Sequence, residues 1–243
     1  MTSLARGFAI GCLSLLTLFA TDAPAQDNAF VFLNRGTRHF DKGEYDRAIE
    51  NFTQAIKLEP QATRALIGRG MSYAARNEHD RAIEDYDQVI RLAPNDARAF
   101  LNRGTSYARK GEHGRAIQDY TRATELQPTN AAAWNGLCWV RALAGQLQQA
   151  LSDCNAALAL SATDADALDS RGFTYLKLGQ LDLAIGDYSA ALNIDPGEAT
   201  SLYGRGVARV RRGDTLGGSA DITAAKAIDR EIEAKMRQWG IAP

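Results

Sequence analysis

Residues 97–130 read ARAFLNRGTSYARKGEHGRAIQDYTRATELQPTN. In each half the apolar and small side chains recur at spacings of three and four: Leu101, Gly104 and Tyr107, then Ala116, Tyr120 and Ala123. That period predicts amphipathic helix. Gly111, between the halves, permits the positive φ that closes one helix and reverses the chain. Pro128 cannot continue a helix and ends the second one. The stretch is therefore predicted to be a helical hairpin, too small to bury its own apolar face.

The pattern repeats every 34 residues. Gly36, Gly70, Gly104, Gly172 and Gly206 share one lattice, with Cys138 in the remaining slot. With 21 glycines in 243 residues, about half a glycine is expected in six random slots, so the lattice is not chance. Twelve places on stand Ala48, Ala82, Ala116, Ala150, Ala184 and Gly218, and four further stand Phe52, Tyr86, Tyr120, Cys154, Tyr188 and Ile222. Three beyond come Ala55, Val89, Ala123, Ala157, Ala191 and Ala225, and prolines close four units at Pro60, Pro94, Pro128 and Pro196. Gly43, Asn77, Gly111, Gly145, Gly179 and Gly213 mark the turns. Stacking such hairpins buries a continuous core.

These columns resemble the tetratricopeptide repeat: small residue, aromatic, Ala, aromatic, Ala, Pro, in that order. The resemblance implies an all-α, right-handed superhelical solenoid of six 34-residue helical hairpins, 29–62, 63–96, 97–130, 131–164, 165–198 and 199–232, after a lead-in at 26–28. The sixth unit has Arg230 where others have proline. Its second helix is expected to run on through Ile228, Ile232 and Met236, with residues 233–243 as a polar capping tail.

Residues 1–25 have another character. Arg6 precedes a 13-residue apolar run, Phe8 to Ala20, and Ala23-Pro24-Ala25 places small residues where a signal peptidase reads. The run suits a signal peptide and is too short to span a bilayer. Cleavage before Gln26 is expected, giving an exported chain, periplasmic in a Gram-negative source or secreted, without membrane insertion. Cys138 and Cys154 are then the remaining cysteines, and an oxidising compartment favours their pairing. They lie opposite one another in a hairpin, equidistant from Gly145, so a disulfide is expected. Two buried free thiols are the alternative.

The charge balance, 28 basic against 29 acidic residues, gives no field to draw in nucleic acid. Arg precedes the small slot in five units (Arg35, Arg69, Arg103, Arg171, Arg205), and Asp precedes the second-helix large residue in five (Asp85, Asp119, Asp153, Asp187, Asp221). This ladder implies structural Arg–Asp pairs, within or between repeats. His39 is expected to pack at a helix crossing, and His79 and His113 lack the neighbours of a metal site. No catalytic residues, metal or cofactor are expected, because no Walker loop, HExxH, GxSxG or Rossmann fingerprint appears.

In the family, partners bind along the inner faces of the first helices. The resemblance places Leu33, Ile67, Leu101, Asn135, Asp169 and Tyr203 there, with Arg64, Arg98, Met71, Trp139, Phe173 and Val207. The first three units offer an apolar floor with arginines, and the last three offer Trp139, Phe173 and Tyr203 as aromatic platforms. The binding groove is thus expected to comprise Arg64, Arg98, Asn102, Trp139, Phe173 and Tyr203. The family's two-carboxylate clamp is absent: Leu33, Thr37 and Gly68 stand at its first positions, and only Arg98 and Asn102 fit. The expected function is a non-catalytic scaffold that binds a protein or peptide in the cell envelope. Its rivals are an accessory to envelope glycan or peptidoglycan handling, and a hydrolase.

Overall fold

A computed structural model describes residues 28–243, and over them the chain is all-α. Six hairpins follow one another. They are α1 (Ala29–Asp41) with α2 (Tyr45–Leu58), α3 (Thr63–Ala75) with α4 (His79–Leu92), and α5 (Ala97–Arg109) with α6 (His113–Leu126). Then come α7 (Ala131–Leu143) with α8 (Leu147–Leu160), α9 (Ala165–Lys177) with α10 (Leu181–Ile194), and α11 (Ala199–Arg212) with α12 (Thr215–Ile228). A short helix α13 (Ile232–Gln238) ends the chain. The segment expected to be a signal peptide lies outside the described residues.

The local chemistry explains the boundaries. Five of the six first helices, all but α3, start behind side-chain caps: Asn28 accepts from the Val31 N–H, Asn130 from Ala133 and Asp164 from Ala167, for example. Each satisfies an amide that the helix cannot. At the hairpin turns the chain closes with paired 5→2 and 6→1 bonds. Gly111 donates to the Ala108 carbonyl at 3.0 Å and Glu112 to the Tyr107 carbonyl at 2.9 Å. Gly111 has φ +77°, and Asn77 holds the same place at φ +63°.

The core runs along the hairpin crossings. Phe52, Tyr86, Tyr120 and Tyr188 are all at most 5% exposed, and Ala48, Ala82, Ala116, Ala150 and Ala184 are fully buried. Each ring presses on a first helix without a Cβ: a methyl group at Gly70 would stand 2.6 Å from the Tyr86 ring. Consecutive first helices, α1, α3, α5, α7, α9 and α11, pack side by side. Together they line one face of the stack.

The sixth unit departs from expectation. Its second helix stops at Ile228, in register with the others, rather than running into the tail. Asp229 breaks it: its carboxylate accepts from the Glu231 N–H at 2.9 Å and from Lys235 Nζ at 2.8 Å. Asp195, one repeat earlier, makes the same turn with Gly197 N–H at 3.0 Å. The fourth unit also ends on time at Leu160 without a proline. The tail buries Ile232, Met236 and Ile241 at 0%, 1% and 1% exposure and leaves Lys235, Arg237 and Gln238 exposed.

The turn geometry yields a clean test. A Cβ at Gly111 meets nothing within 4 Å, so Gly111→Ala should cost only the backbone penalty, ~1 kcal/mol. Asn77→Gly should be neutral or mildly stabilising. Chemical denaturation of the two variants checks this, and equal losses in both would contradict it.

Candidate functional site

The Arg–Asp ladder pairs within repeats, sixteen residues apart. Arg69 grips Asp85 with Nε at 2.9 Å and Nη2 at 2.7 Å, and Arg103–Asp119, Arg171–Asp187 and Arg205–Asp221 repeat the two-pronged contact. The remaining nitrogen reaches back to the preceding repeat: Thr53 at 3.2 Å, Asp87 at 2.5 Å, Asn155 at 2.9 Å and Ser189 at 3.4 Å. Each guanidinium therefore fixes its own hairpin and registers it on its neighbour. In the fourth unit, where Leu137 replaces Arg, Arg141 one turn later binds Asp153 at 2.7 Å. Hydrogen bonds donated to Asp119 hold the Arg103 guanidinium above its ordinary value, while burial pushes the Asp119 carboxyl up. The ladder is enclosed and structural. Sequence reading missed the Thr53, Asp87, Asn155, Ser189 column, whose signal was a polar residue sixteen places before each of these arginines.

The first helices line the face to which the expected groove residues belong. Its N-terminal half holds a pocket of about 240 Å³, lined by Leu33, Thr37, Phe40, Asp41, Phe52, Arg64, Ile67, Gly68, Met71 and Arg98. The inner-face register thus brings Arg64 and Arg98 together over an apolar floor, and both are exposed. Arg98 donates to Asp96 through Nε at 3.0 Å and Nη2 at 2.6 Å. Those bonds hold the Asp96 carboxyl below its usual value. Arg64 makes no ion pair or hydrogen bond among the described residues. Asn102 does not line this pocket.

The C-terminal half is different, and the aromatic platform needs correction there. Phe173 and Tyr203 are 2% and 0% exposed, so neither is open to a partner. Trp139 and Phe173 do meet, with ring centroids 4.8 Å apart. Trp239, from the tail, fills the space above them, edge-on to Trp139 at 5.0 Å and to Phe173 at 6.4 Å. Ile232, Met236 and Ile241 join the same apolar cluster as Tyr203 and Val207. The chain's own end covers these rings. Sequence reading could not see this because Trp239 lies outside the periodic pattern.

The other candidates fall as follows. Cys138 and Cys154 are fully buried and face each other with Cα atoms 5.2 Å apart, inside the range a disulfide spans. His39 sits not in a crossing but across the hairpin turn, its Nδ1 2.5 Å from Glu44 Oε2, and this contact lowers the Glu44 carboxyl. Among the described residues no cluster of His, Cys, Asp and Glu converges as a metal site. Asp169 bridges α9 to α11, where Ser201 Oγ donates to its Oδ1 at 2.6 Å. Burial, reinforced by the negative charge of Glu198, pushes the Asp169 carboxyl up to about 7.

A stack of hairpins with an inner face of first helices defines the class: a helical-repeat scaffold. Residues 33–97, 97–130 and 165–198 each match a tetratricopeptide-repeat model, together more than half of the chain. The chain belongs to the tetratricopeptide-repeat family. No curated protein sequence matches it. Among solved structures, the chain is similar to one from the APC/C hetero-tetramer Cut9–Hcn1, at 20% identity and TM-score 0.77, over 88% of this chain but 42% of that one. It is similar to PilF of Pseudomonas aeruginosa at 16% identity and TM-score 0.72, over 86% of this chain and 97% of that one. It is also similar to YrrB, described as a tetratricopeptide-repeat protein with an unusual peptide-binding site. There the identity is 24% and the TM-score 0.59, over 80% of this chain and 100% of that one. At these identities the likeness concerns the fold.

Asp169 gives a pH test with a definite sign. Its folded value lies above the unfolded carboxylate value, so its contribution to stability is present below about pH 4 and is lost as pH rises through about 7. Asp169→Asn should remove that dependence and raise stability at pH 8 by ~2–4 kcal/mol. Melting curves between pH 4 and 8 decide it. A slope unchanged from wild type would contradict the assignment.

Proposed function

We propose that the chain is a scaffold whose open groove, formed by the first three repeats, takes a peptide segment carrying an apolar side chain beside a carboxylate. The observation that carries this reading is the pocket shared by Leu33, Ile67, Met71, Arg64 and Arg98. Its floor rewards burial of an apolar group, at ~25 cal/mol per Å². Arg64, with no acid of its own, supplies a fork matched to a planar carboxylate. Arginine and exposed apolar side chains are common anchors of interface energy. Tetratricopeptide-repeat proteins serve as protein-interaction scaffolds, and the pocket supports reading that role at the N-terminal end of the stack.

Peptides selected from a displayed library against the pure protein test it. Those enriched should pair an apolar residue with Asp, Glu or a free carboxyl terminus. Arg64→Ala should weaken their binding by ~1–2 kcal/mol without lowering the melting temperature, and Arg64→Glu should weaken it more. Equal affinity for wild type and Arg64→Glu would contradict the groove.

We further propose that the protein works in the cell envelope, after removal of residues 1–25. The support is Arg6, the apolar run that follows, and Ala23-Pro24-Ala25, all outside the described residues. Export would place Cys138 and Cys154 in an oxidising compartment, where a bond closing a loop of sequence separation 16 should stabilise the fold by ~3 kcal/mol. Thiol counting on denatured, unreduced protein from its native envelope should find no free thiol. Two free thiols would contradict the bridge, and an intact Met1 would contradict export.

A further inference from the structure

Charged side chains thirty residues apart clip the end of one first helix to the second helix of the preceding repeat. Arg76 pairs with Asp46, Lys110 with Asp80 at 2.6 Å and Arg212 with Asp182 at 2.7 Å. Around the fourth repeat the same places carry no charge. Gly114 and Ala144 stand at its clip to repeat three, and Gln148 and Leu178 at its clip to repeat five. Arg103, which also pairs with Asp87 at 2.5 Å, doubles the tie between repeats two and three. Among the described residues no ion pair crosses either seam of the fourth repeat, whereas each of the other three seams has at least one.

The other ties of this repeat are also reduced. Leu137 takes the place of the arginine that reaches back in its neighbours. Arg141 binds Asp153 through Nη1 alone, where the other repeats use two nitrogens. Tyr120 still presses on Gly136 from repeat three, but Cys154 holds the ring's place in repeat four and sends no ring forward to α9. What crosses the seams is apolar packing and neutral bonds: Trp134 Nε1 to the Pro128 carbonyl at 2.8 Å, Arg171 Nη1 to Asn155 at 2.9 Å and Lys177 Nζ to the Ala142 carbonyl at 2.9 Å. Against these, Cys138 and Cys154 join α7 to α8 at the centre of the crossing, both fully buried. In a linear stack each repeat is held by its own fold and by its two neighbours. The repeat with the weakest seams therefore opens first once its own tie is cut, and the blocks on either side stay folded.

We propose that Cys138 and Cys154 form a redox latch at the middle of the stack. Bridged, they hold the six repeats as one body; reduced, the fourth repeat opens and leaves two folded blocks, repeats one to three and repeats five and six with the tail. The latch rests on the bridge proposed above for the exported chain. It is opened by a dithiol. One thiolate of the dithiol attacks a sulfur of the bridge, the other cysteine leaves as a thiolate and takes a proton, and the second thiol resolves the mixed disulfide. Two electrons pass to the bridge, and the dithiol departs as a disulfide. Because both sulfurs are buried, attack begins from transient openings of the repeat. The pocket of Arg64 and Arg98 lies wholly in the first block, so a partner confined to it keeps its hold on reduction. A partner that spans both blocks loses it.

The test follows amide exchange in the full chain, oxidised and then held in dithiothreitol, with thiols counted in each state. Reduction should speed exchange in α7 and α8 about a hundredfold, the factor that closing a loop of this size supplies, while α1 to α6 and α9 to α12 stay protected. The double variant Cys138→Ala with Cys154→Ala should show the reduced pattern without any reductant. Unchanged exchange in α7 and α8 on reduction would overturn the latch while the bridge stands. So would equal loss of protection in all helices, in the reduced chain or in the double variant, because the pair would then be ordinary core. Two free thiols in the oxidised chain would remove bridge and latch together.

Discussion

Five of the six repeats depend on a large side chain from a second helix pressing against a first helix that has given up its Cβ, and in the fourth Cys138 and Cys154 take those two places. The rings also reach forward. Phe52 stands between Gly36 and Gly68, where a Cβ would come within 2.7 Å and 2.5 Å of it, and Tyr188 stands between Gly172 and Gly204. One ring thus closes its own hairpin and sets the distance to the next first helix. Interiors packed at this density transmit shape with little slack. The side-by-side alignment of first helices, and so the existence of a groove, follows from that contact.

Behind the rings, the arginine seam sets register rather than adding strength. Burying ionised pairs costs desolvation that their attraction only partly repays, and Asp119 records the cost in its raised carboxyl. What the seam adds is geometry, because a forked guanidinium meets one carboxylate two-pronged and one side chain of the previous repeat. The fourth unit shows the tolerance of the arrangement. Arg141 sits one turn beyond Leu137, on the same helix face, and still binds Asp153. In the sixth unit both places carry Arg, and Arg205 and Arg209 share Asp221.

Periodicity made the fold legible, because identical columns must do identical jobs. It led from Gly104 and Tyr120 to the crossings, from Gly111 and Asn77 to the turns, and from Leu33, Ile67 and Arg64 to side chains that share one pocket. The ladder's sixteen-residue spacing was visible, but choosing within-repeat pairing needed coordinates. It failed where the chain stops repeating. Asp229 ends a helix by side-chain hydrogen bonding, which an apolar pattern cannot register, and Trp239 has no counterpart in any other unit. Phe173 and Tyr203, read as partner platforms, are buried in one cluster with the tail's Ile232, Met236 and Ile241.

The proposed function requires that partners enter on the first-helix face of repeats one to three. Photo-cross-linking in cells, from a benzophenone side chain placed at Met71, Trp139 or the exposed Arg91 of α4, tests it most directly. A captured protein is predicted from position 71 and none from 139, which packs against Trp239, or from 91. Capture from position 91 with none from 71 would contradict it.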